Sequence, residues 1–211
     1  MVVGDGDFSF SREVCSWRAE GGGTMEHFCT SVLLDQQEAV RRYRANNSTI
    51  VDTLHMFKME GVQHAFCVDA TNLSGTATWS SKEPCNTVVW NYPFPESNAV
   101  DMSSKTSLIK DFFVSVAQWQ AFSSIGTVVL GLKSCSFTSQ HFTENADFQY
   151  HQWDVERIAC ECGFKHVSSV GPMPPFWHPT HVSGRPLCKR KDRDAGEVMV
   201  KFYAFQRLSS E

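Results

Sequence analysis

This sequence of 211 residues has no apolar run long enough for a membrane-spanning helix, so insertion into a membrane is not expected. It has no surplus of positive charge. Its 19 Lys and Arg face 23 Asp and Glu, a formal net charge of −4. That argues against a broad basic surface holding nucleic acid by charge alone, although local basic clusters remain. None of its eight Cys form a Cys-x-x-Cys pair, and Cys160-Glu161-Cys162 is poorly spaced for structural zinc, so no metal is expected. No secretory leader is visible, and several Cys lie in apolar runs such as Ala65-Phe66-Cys67-Val68. Buried, reduced thiols in an intracellular protein are therefore expected rather than disulfides. There is no Gly-Lys-Ser/Thr, which disfavours a P-loop nucleotidase. There is no internal repeat and no low-complexity segment. The first apolar run starts directly at Met1, and a leader or an earlier strand is expected upstream of it.

What is present suits one large domain over residues 1–211: 42% hydrophobic residues, 16 Phe and six Trp can fill a core. The organising stretch is Met1-Val2-Val3-Gly4-Asp5-Gly6-Asp7-Phe8-Ser9-Phe10-Ser11. It reads as a buried strand, a tight glycine turn and a helix, either with free N–H groups that face a ligand and glycines leaving no Cβ where that ligand approaches, or as a tight strand-to-helix turn with no ligand. Strands and helices then alternate. Helices are expected over Phe8–Arg18, Gln36–Ala45, Thr49–Met59 (capped by Ser48), Ser104–Phe122 and Tyr150–Cys162. Strands are expected over Phe28–Leu34, Val62–Val68, Thr87–Trp90, Thr127–Leu132, Lys165–Val170 and Val198–Phe205. Asn72–Asn86 reads as a variable loop. Residues 171–197 read as a long loop, proline-rich and partly basic. Such alternation implies an α/β fold with a mostly parallel sheet and helices on both faces, which binds ligands beyond the strand C-termini.

Polar residues fall at those termini: Asp5, Asp35, Asp69 and Asn91 close four successive strands. Asp35 is placed to accept hydrogen bonds from ribose hydroxyls, or simply to cap the helix from Gln36. It lies 29 positions past Gly6, a wider gap than usual, which the Glu20–Thr24 loop absorbs. Asp69 can accept from an adenine amine, with Ala70 leaving room for the ring, or it can form a turn. In Asn91-Tyr92-Pro93-Phe94-Pro95, an amide, a proline-fixed carbonyl and an aromatic can grip a planar nitrogen-bearing group, although a plain proline turn is the commoner meaning. Lys189-Arg190-Lys191-Asp192-Arg193 is a solvated loop or a phosphate contact for RNA. His178 and His181 share that loop and are read as exposed or substrate-side. Ser9 stands where a third glycine would complete G-x-G-x-x-G. An adenosine ligand without a long phosphate cradle, S-adenosylmethionine, fits this turn better than NAD or ATP.

The residues resemble the Rossmann-like methyltransferase domain of the large-subunit rRNA uridine-N(3) methyltransferases. That family opens with a G-E-G-N-F-S-F-S-like segment, here Gly4 to Ser11. Its D-A-T, its N-F-P-H-like tetrad, its paired-Phe helix and its G-x-V-x-x-x-L-K-like strand are similar to Asp69-Ala70-Thr71, Asn91-Tyr92-Pro93-Phe94, Phe112-Phe113 and Gly126 to Lys133. A late Trp153 also matches in order, and Phe94 replaces the tetrad's His. The resemblance implies a class I methyltransferase sheet of seven strands, the last antiparallel. It implies S-adenosylmethionine held by Gly4, Asp5, Gly6, Phe8, Asp35, Asp69, Ala70 and Asn91. Asn91, Tyr92 and Pro93 would stand at the methyl acceptor, with Phe94, Arg185, Lys189 and Arg190 on the RNA. The partner would be rRNA or a pre-ribosomal particle, in the nucleolus or nucleus. Two other readings stay open: a catalytically weak or inactive methyltransferase-like assembly factor, and a nicotinamide oxidoreductase.

Overall fold

The computed structural model describes residues 1–25, 27–43, 49–77, 83–91, 93, 102–134, 147–173 and 199–208. The strands are β1 (Val2–Val3), β2 (Cys29–Ser31), β3 (Gln63–Ala65), β4 (Cys85–Asn91), β5 (Phe122–Ser134), β6 (Phe164–Met173) and β7 (Met199–Arg207). The helices are α1 (Ser9–Glu20), α2 (Gln36–Arg42), α3 (Thr49–Glu60), α4 (Leu73–Thr76), α5 (Met102–Gln118), α6 (Phe148–Gln152) and α7 (Val155–Glu161). All seven strands form one sheet in the order β3-β2-β1-β4-β5-β7-β6. The first five are parallel, and β7 runs antiparallel to both β5 and β6. The expected α/β architecture with a reversed last strand is therefore present.

Two apolar clusters cover the two faces of the sheet. One joins Trp90, Phe112, Phe113, Phe122, Leu130, Phe164 and Phe205 beneath α5 and α7. The other joins Val2, Phe8, Phe10, Cys15, Ala39 and Phe57 beneath α1, α2 and α3. The stripe Ile109, Phe112, Phe113 and Val116 on α5 recurs at helical spacing and is fully buried, so burial of this one face accounts for the helix.

Several expected boundaries moved, each for a tertiary reason. The helix expected through Phe122 stops at Gln118, because Phe122 opens β5 by pairing with Cys85, whose N–H donates to the Ala121 carbonyl. The helix expected over Tyr150–Cys162 is broken at Asp154, which adopts a left-handed φ of 53° between α6 and α7. The loop expected over Asn72–Asn86 contains α4, capped by the Asn72 side chain accepting from the Gly75 N–H. β6 continues to Met173 across a register shift, past Gly171 where a loop is expected to begin, and residues 174–198 lie outside the described residues. Cys67, expected buried, is exposed where its φ of 59° turns the chain out of the sheet. Cys15, Cys29 and Cys85 are buried and free, and burial pushes the Cys15 thiol up to about 12 and the Cys29 thiol up to about 11. No helix among the described residues is long and apolar enough to cross a membrane.

Candidate active site at the C-terminal edge of the parallel strands

The sheet order puts the polar strand ends in a row. Asp69 follows β3, Asp35 follows β2, the Gly4–Gly6 turn follows β1 and Asn91 ends β4. Neighbouring strands lie ~4.8 Å apart, so the three intervals span roughly 14 Å along one edge. The backbone binds the row together: the Asp5 N–H donates to the Ser31 carbonyl at 3.1 Å, and the Val32 N–H donates to the Ala65 carbonyl at 3.1 Å.

The glycine turn is held by its own acids. The Phe8 N–H donates to the Asp5 carbonyl at 2.8 Å, which closes the turn, and Gly4 takes a φ of +68° that favours glycine. Asp5 Oδ2 accepts from the Ser11 N–H at 2.7 Å, and Asp7 Oδ1 accepts from the Ser9 N–H at 3.1 Å. These carboxylates satisfy N–H groups at the start of α1 that were expected to face a ligand, because a buried helix end must find partners for its free donors. Below them, the Ser11 and Thr30 hydroxyls hydrogen-bond at 2.5 Å, and the Ser31 hydroxyl donates to the Val2 carbonyl at 3.3 Å. Burial first, then repulsion from Asp7, raises Asp5 to about 7.

Side chains of the protein fill the spaces the glycines leave. A Cβ on Gly4 would lie 2.5 Å from Trp90 Nε1, and one on Gly6 would lie 2.3 Å from the Tyr43 hydroxyl. The glycines thus admit an indole and a phenol, where sequence reasoning expected a ligand to approach. Phe8 also departs from its expected role. Its side chain is fully buried in edge-to-face contact with Phe57 and Phe66, with centroids 5.6 and 5.8 Å apart, because its φ of 61° turns the ring into the core. Ala70 is buried in the opposite cluster.

The outer carboxylates remain half used. Asp35 is exposed, and its Oδ1 caps α2 by accepting from the Glu38 N–H at 2.8 Å. The capping role weighed for it is real, and it leaves Oδ2 for another donor. Asp69 is half-buried, and its Oδ1 accepts from the Thr71 N–H at 2.8 Å and the Thr71 hydroxyl at 2.7 Å. Asn91 is buried, and its Oδ1 has no hydrogen-bond partner among the described residues. Such an orphan costs about 1–3 kcal/mol unless a ligand satisfies it. Pro93 is buried nearby in sequence. Tyr92, Phe94, Arg185, Lys189, Arg190, His178 and His181 lie outside the described residues, as does the expected cap Ser48.

A cavity of about 370 Å³ is lined by Met1, Cys85 and Thr87 at the starts of β1 and β4, with Phe10 of α1 and Phe28 before β2. It lies away from the polar row. Beyond β4, Lys201 and the Tyr203 hydroxyl donate to Asp147 Oδ1 at 2.6 and 2.5 Å. Burial opposes ionisation of Asp147, but these hydrogen bonds hold its carboxyl below the usual range. Sequence reasoning missed this network and the rings of Trp90 and Tyr43, since contacts across strands leave no local pattern.

The strand order, the reversed β7 and the glycine turn define a Rossmann-like class I methyltransferase fold, the S-adenosylmethionine-dependent class. The fold is shared with an O-methyltransferase family protein from Burkholderia thailandensis at 14% identity and TM-score 0.50, covering 100% of this chain and 51% of that one. It is also shared with a structure described as a pericyclic reaction enzyme at 8% identity and TM-score 0.50, covering 98% and 42%. TrmN from Thermus thermophilus is similar at 9% identity and TM-score 0.48, covering 98% and 43%. The chain thus spans about half the length of these structures or less. No curated protein matches it. The family model described as rRNA (uridine-N3-)-methyltransferase BTM5-like matches residues 1–172, and the chain belongs to that family.

Proposed function

We propose that this chain transfers a methyl group from S-adenosylmethionine to N3 of a uridine in large-subunit rRNA, in the nucleolus or nucleus, on rRNA or a pre-ribosomal particle. The observation that carries the proposal is the order of groups along one sheet edge: carboxylate, carboxylate, glycine turn, unpaired buried amide. That order suits adenine, ribose, the methionine part and the methyl acceptor in turn. The donor set fits the cofactor, since Asp35 keeps a free carboxylate oxygen and Asp69 ends the neighbouring strand. In this reading Asp69 and Ala70 hold the adenine, Asp35 the ribose, and Gly4 to Phe8 contribute backbone. When bound, the cofactor supplies an activated methyl group.

Asn91 then orients the acceptor. Uridine N3 carries a proton and is a poor nucleophile until that proton leaves. The Asn91 amide can hold the base by a ring carbonyl, which leaves N3 facing the donor in line, and the N3 proton passes to solvent water. A neutral amide orients but does not remove the proton. Tyr92 and Phe94 would add stacking, Pro93 would fix the backbone, and Arg185, Lys189 and Arg190 would meet phosphates. The test is mass-spectrometric mapping of rRNA from cells lacking the protein. Loss of 3-methyluridine at one position is expected, and retention of every methylated uridine contradicts the proposal.

One observation favours a second reading, a binding protein with a methyltransferase fold. Trp90 and Tyr43 occupy the spaces beside Gly4 and Gly6. Under that reading, calorimetry shows no heat on titration with S-adenosylmethionine, whereas the enzyme reading requires saturable binding.

A further inference from the structure

Gly131 lies in β5 as the register partner of Asn91 in β4, and on its other side it pairs with Phe202 in β7. It is buried, and its φ is not left-handed, so backbone conformation does not demand glycine there. Space does. A Cβ at this position would lie 2.5 Å from Asn91 Oδ1 and 2.8 Å from Phe202 Cε1. Both distances are below any real contact of a methyl group. The absent side chain at 131 is therefore the room in which the Asn91 amide sits, with Phe202 as the opposite wall. Phe202 is in turn backed by Phe10, with ring centroids 6.0 Å apart, and Phe10 belongs to the helix that follows the glycine turn.

We propose that Gly131 is a positioning residue. By presenting no side chain, it seats the Oδ1 end of the Asn91 amide against β5, with the Phe202 ring closing the far side, and so fixes which way the rest of the carboxamide faces at the acceptor edge. The inference rests on the role proposed for Asn91, but its structural half stands independently. A Cβ at 131 must displace the amide, the ring or both, whatever the substrate.

Gly126, five residues earlier in β5, supplies the control. It is equally crowded, but the three atoms nearest a Cβ there all belong to the Phe122 ring, the first at 2.5 Å. Gly131→Ala and Gly126→Ala should therefore lower the unfolding midpoint comparably. Only Gly131→Ala should move the Asn91 side-chain amide resonances, assigned in ¹⁵N spectra by their loss in Asn91→Asp. With purified large-subunit rRNA from cells lacking the protein as acceptor, Gly131→Ala should lower kcat by about tenfold or more, the scale of a small misplacement. The Kd for S-adenosylmethionine should stay within about twofold of wild type, since a transition-state contact is lost and donor binding is not. Adding Phe202→Leu to Gly131→Ala should restore part of the rate by giving the amide room. If Gly131→Ala does not fold, Phe202→Leu alone should shift the same resonances. Asn91 resonances that do not move overturn the inference, as does an equal rate loss in Gly126→Ala. If wild type methylates no rRNA, the function proposed above fails, and the resonance shift still decides the role of Gly131.

Discussion

The two halves of the sheet are built differently. β1, β2 and β3 have two or three residues each, whereas β5, β6 and β7 have nine to thirteen. The short half adds polar ties to its apolar cluster around Phe8: Asp5 to Ser11, Asp7 to Ser9, Ser11 to Thr30 and Ser31 to Val2. The long half is tied by rings: Phe113 touches Phe164 and Phe205, and Tyr150 stacks on Tyr203 at 4.3 Å. Short strands with polar ends put functional groups at one edge, but they bury too little to hold that edge alone. The long half carries the larger aromatic cluster, and β4 joins the two.

The contrast breaks most readily in the aromatic half. Phe113→Ala removes a fully buried ring at the crossing of Phe112, Phe164 and Phe205, and should cost about 3–5 kcal/mol in denaturant unfolding. A loss below about 1 kcal/mol, the level of an ordinary surface change, would show that the rings do not carry the fold.

The polar half should instead respond to pH. Asp5 is raised from 3.8 to about 7 in the fold, chiefly by burial. A raised carboxyl favours the folded state when protonated. Its contribution is therefore complete below about pH 4 and is lost as pH rises to about 7. Relative to wild type, Asp5→Asn should flatten the stability profile over that window while keeping an acceptor for the Ser11 N–H. Parallel profiles for the two proteins would refute the assigned shift.

The smallest effect belongs to the surface of α2. Glu38 pairs with Arg41 and Arg42, and the hydrogen bond from Arg41 holds its carboxyl below the usual range. Arg41 is exposed and Glu38 and Arg42 are half-buried, so these are surface pairs that water and salt screen. Glu38→Gln should leave the unfolding midpoint indistinguishable from wild type, and a clear loss would place weight on the short half that the contrast denies it.

The legibility of the sequence divides along similar lines. Asp5, Asp35, Asp69 and Asn91 could be placed at strand ends because a strand is a local pattern, and a parallel sheet turns local ends into one shared edge. The amphipathic α5 was legible for the same reason. The fates of Phe8, Gly4 and Gly6 were not, since each depends on a partner far along the chain: Phe57 and Phe66, Trp90, and Tyr43. Gly131 did leave a signal, a glycine inside an apolar stretch of strand, which marks a close approach without saying what approaches. The break at Asp154 left none, because no glycine or proline stands there.

The central claim is that neighbouring strand tips form one cofactor edge, and it meets its most direct test in calorimetric titration of S-adenosylmethionine into wild type, Asp35→Ala and Asp69→Ala. The account predicts saturable binding to wild type and binding weakened about tenfold or more in each variant, the loss of a hydrogen bond to a charged group. Wild-type binding that neither substitution alters, or no binding at all, would contradict it.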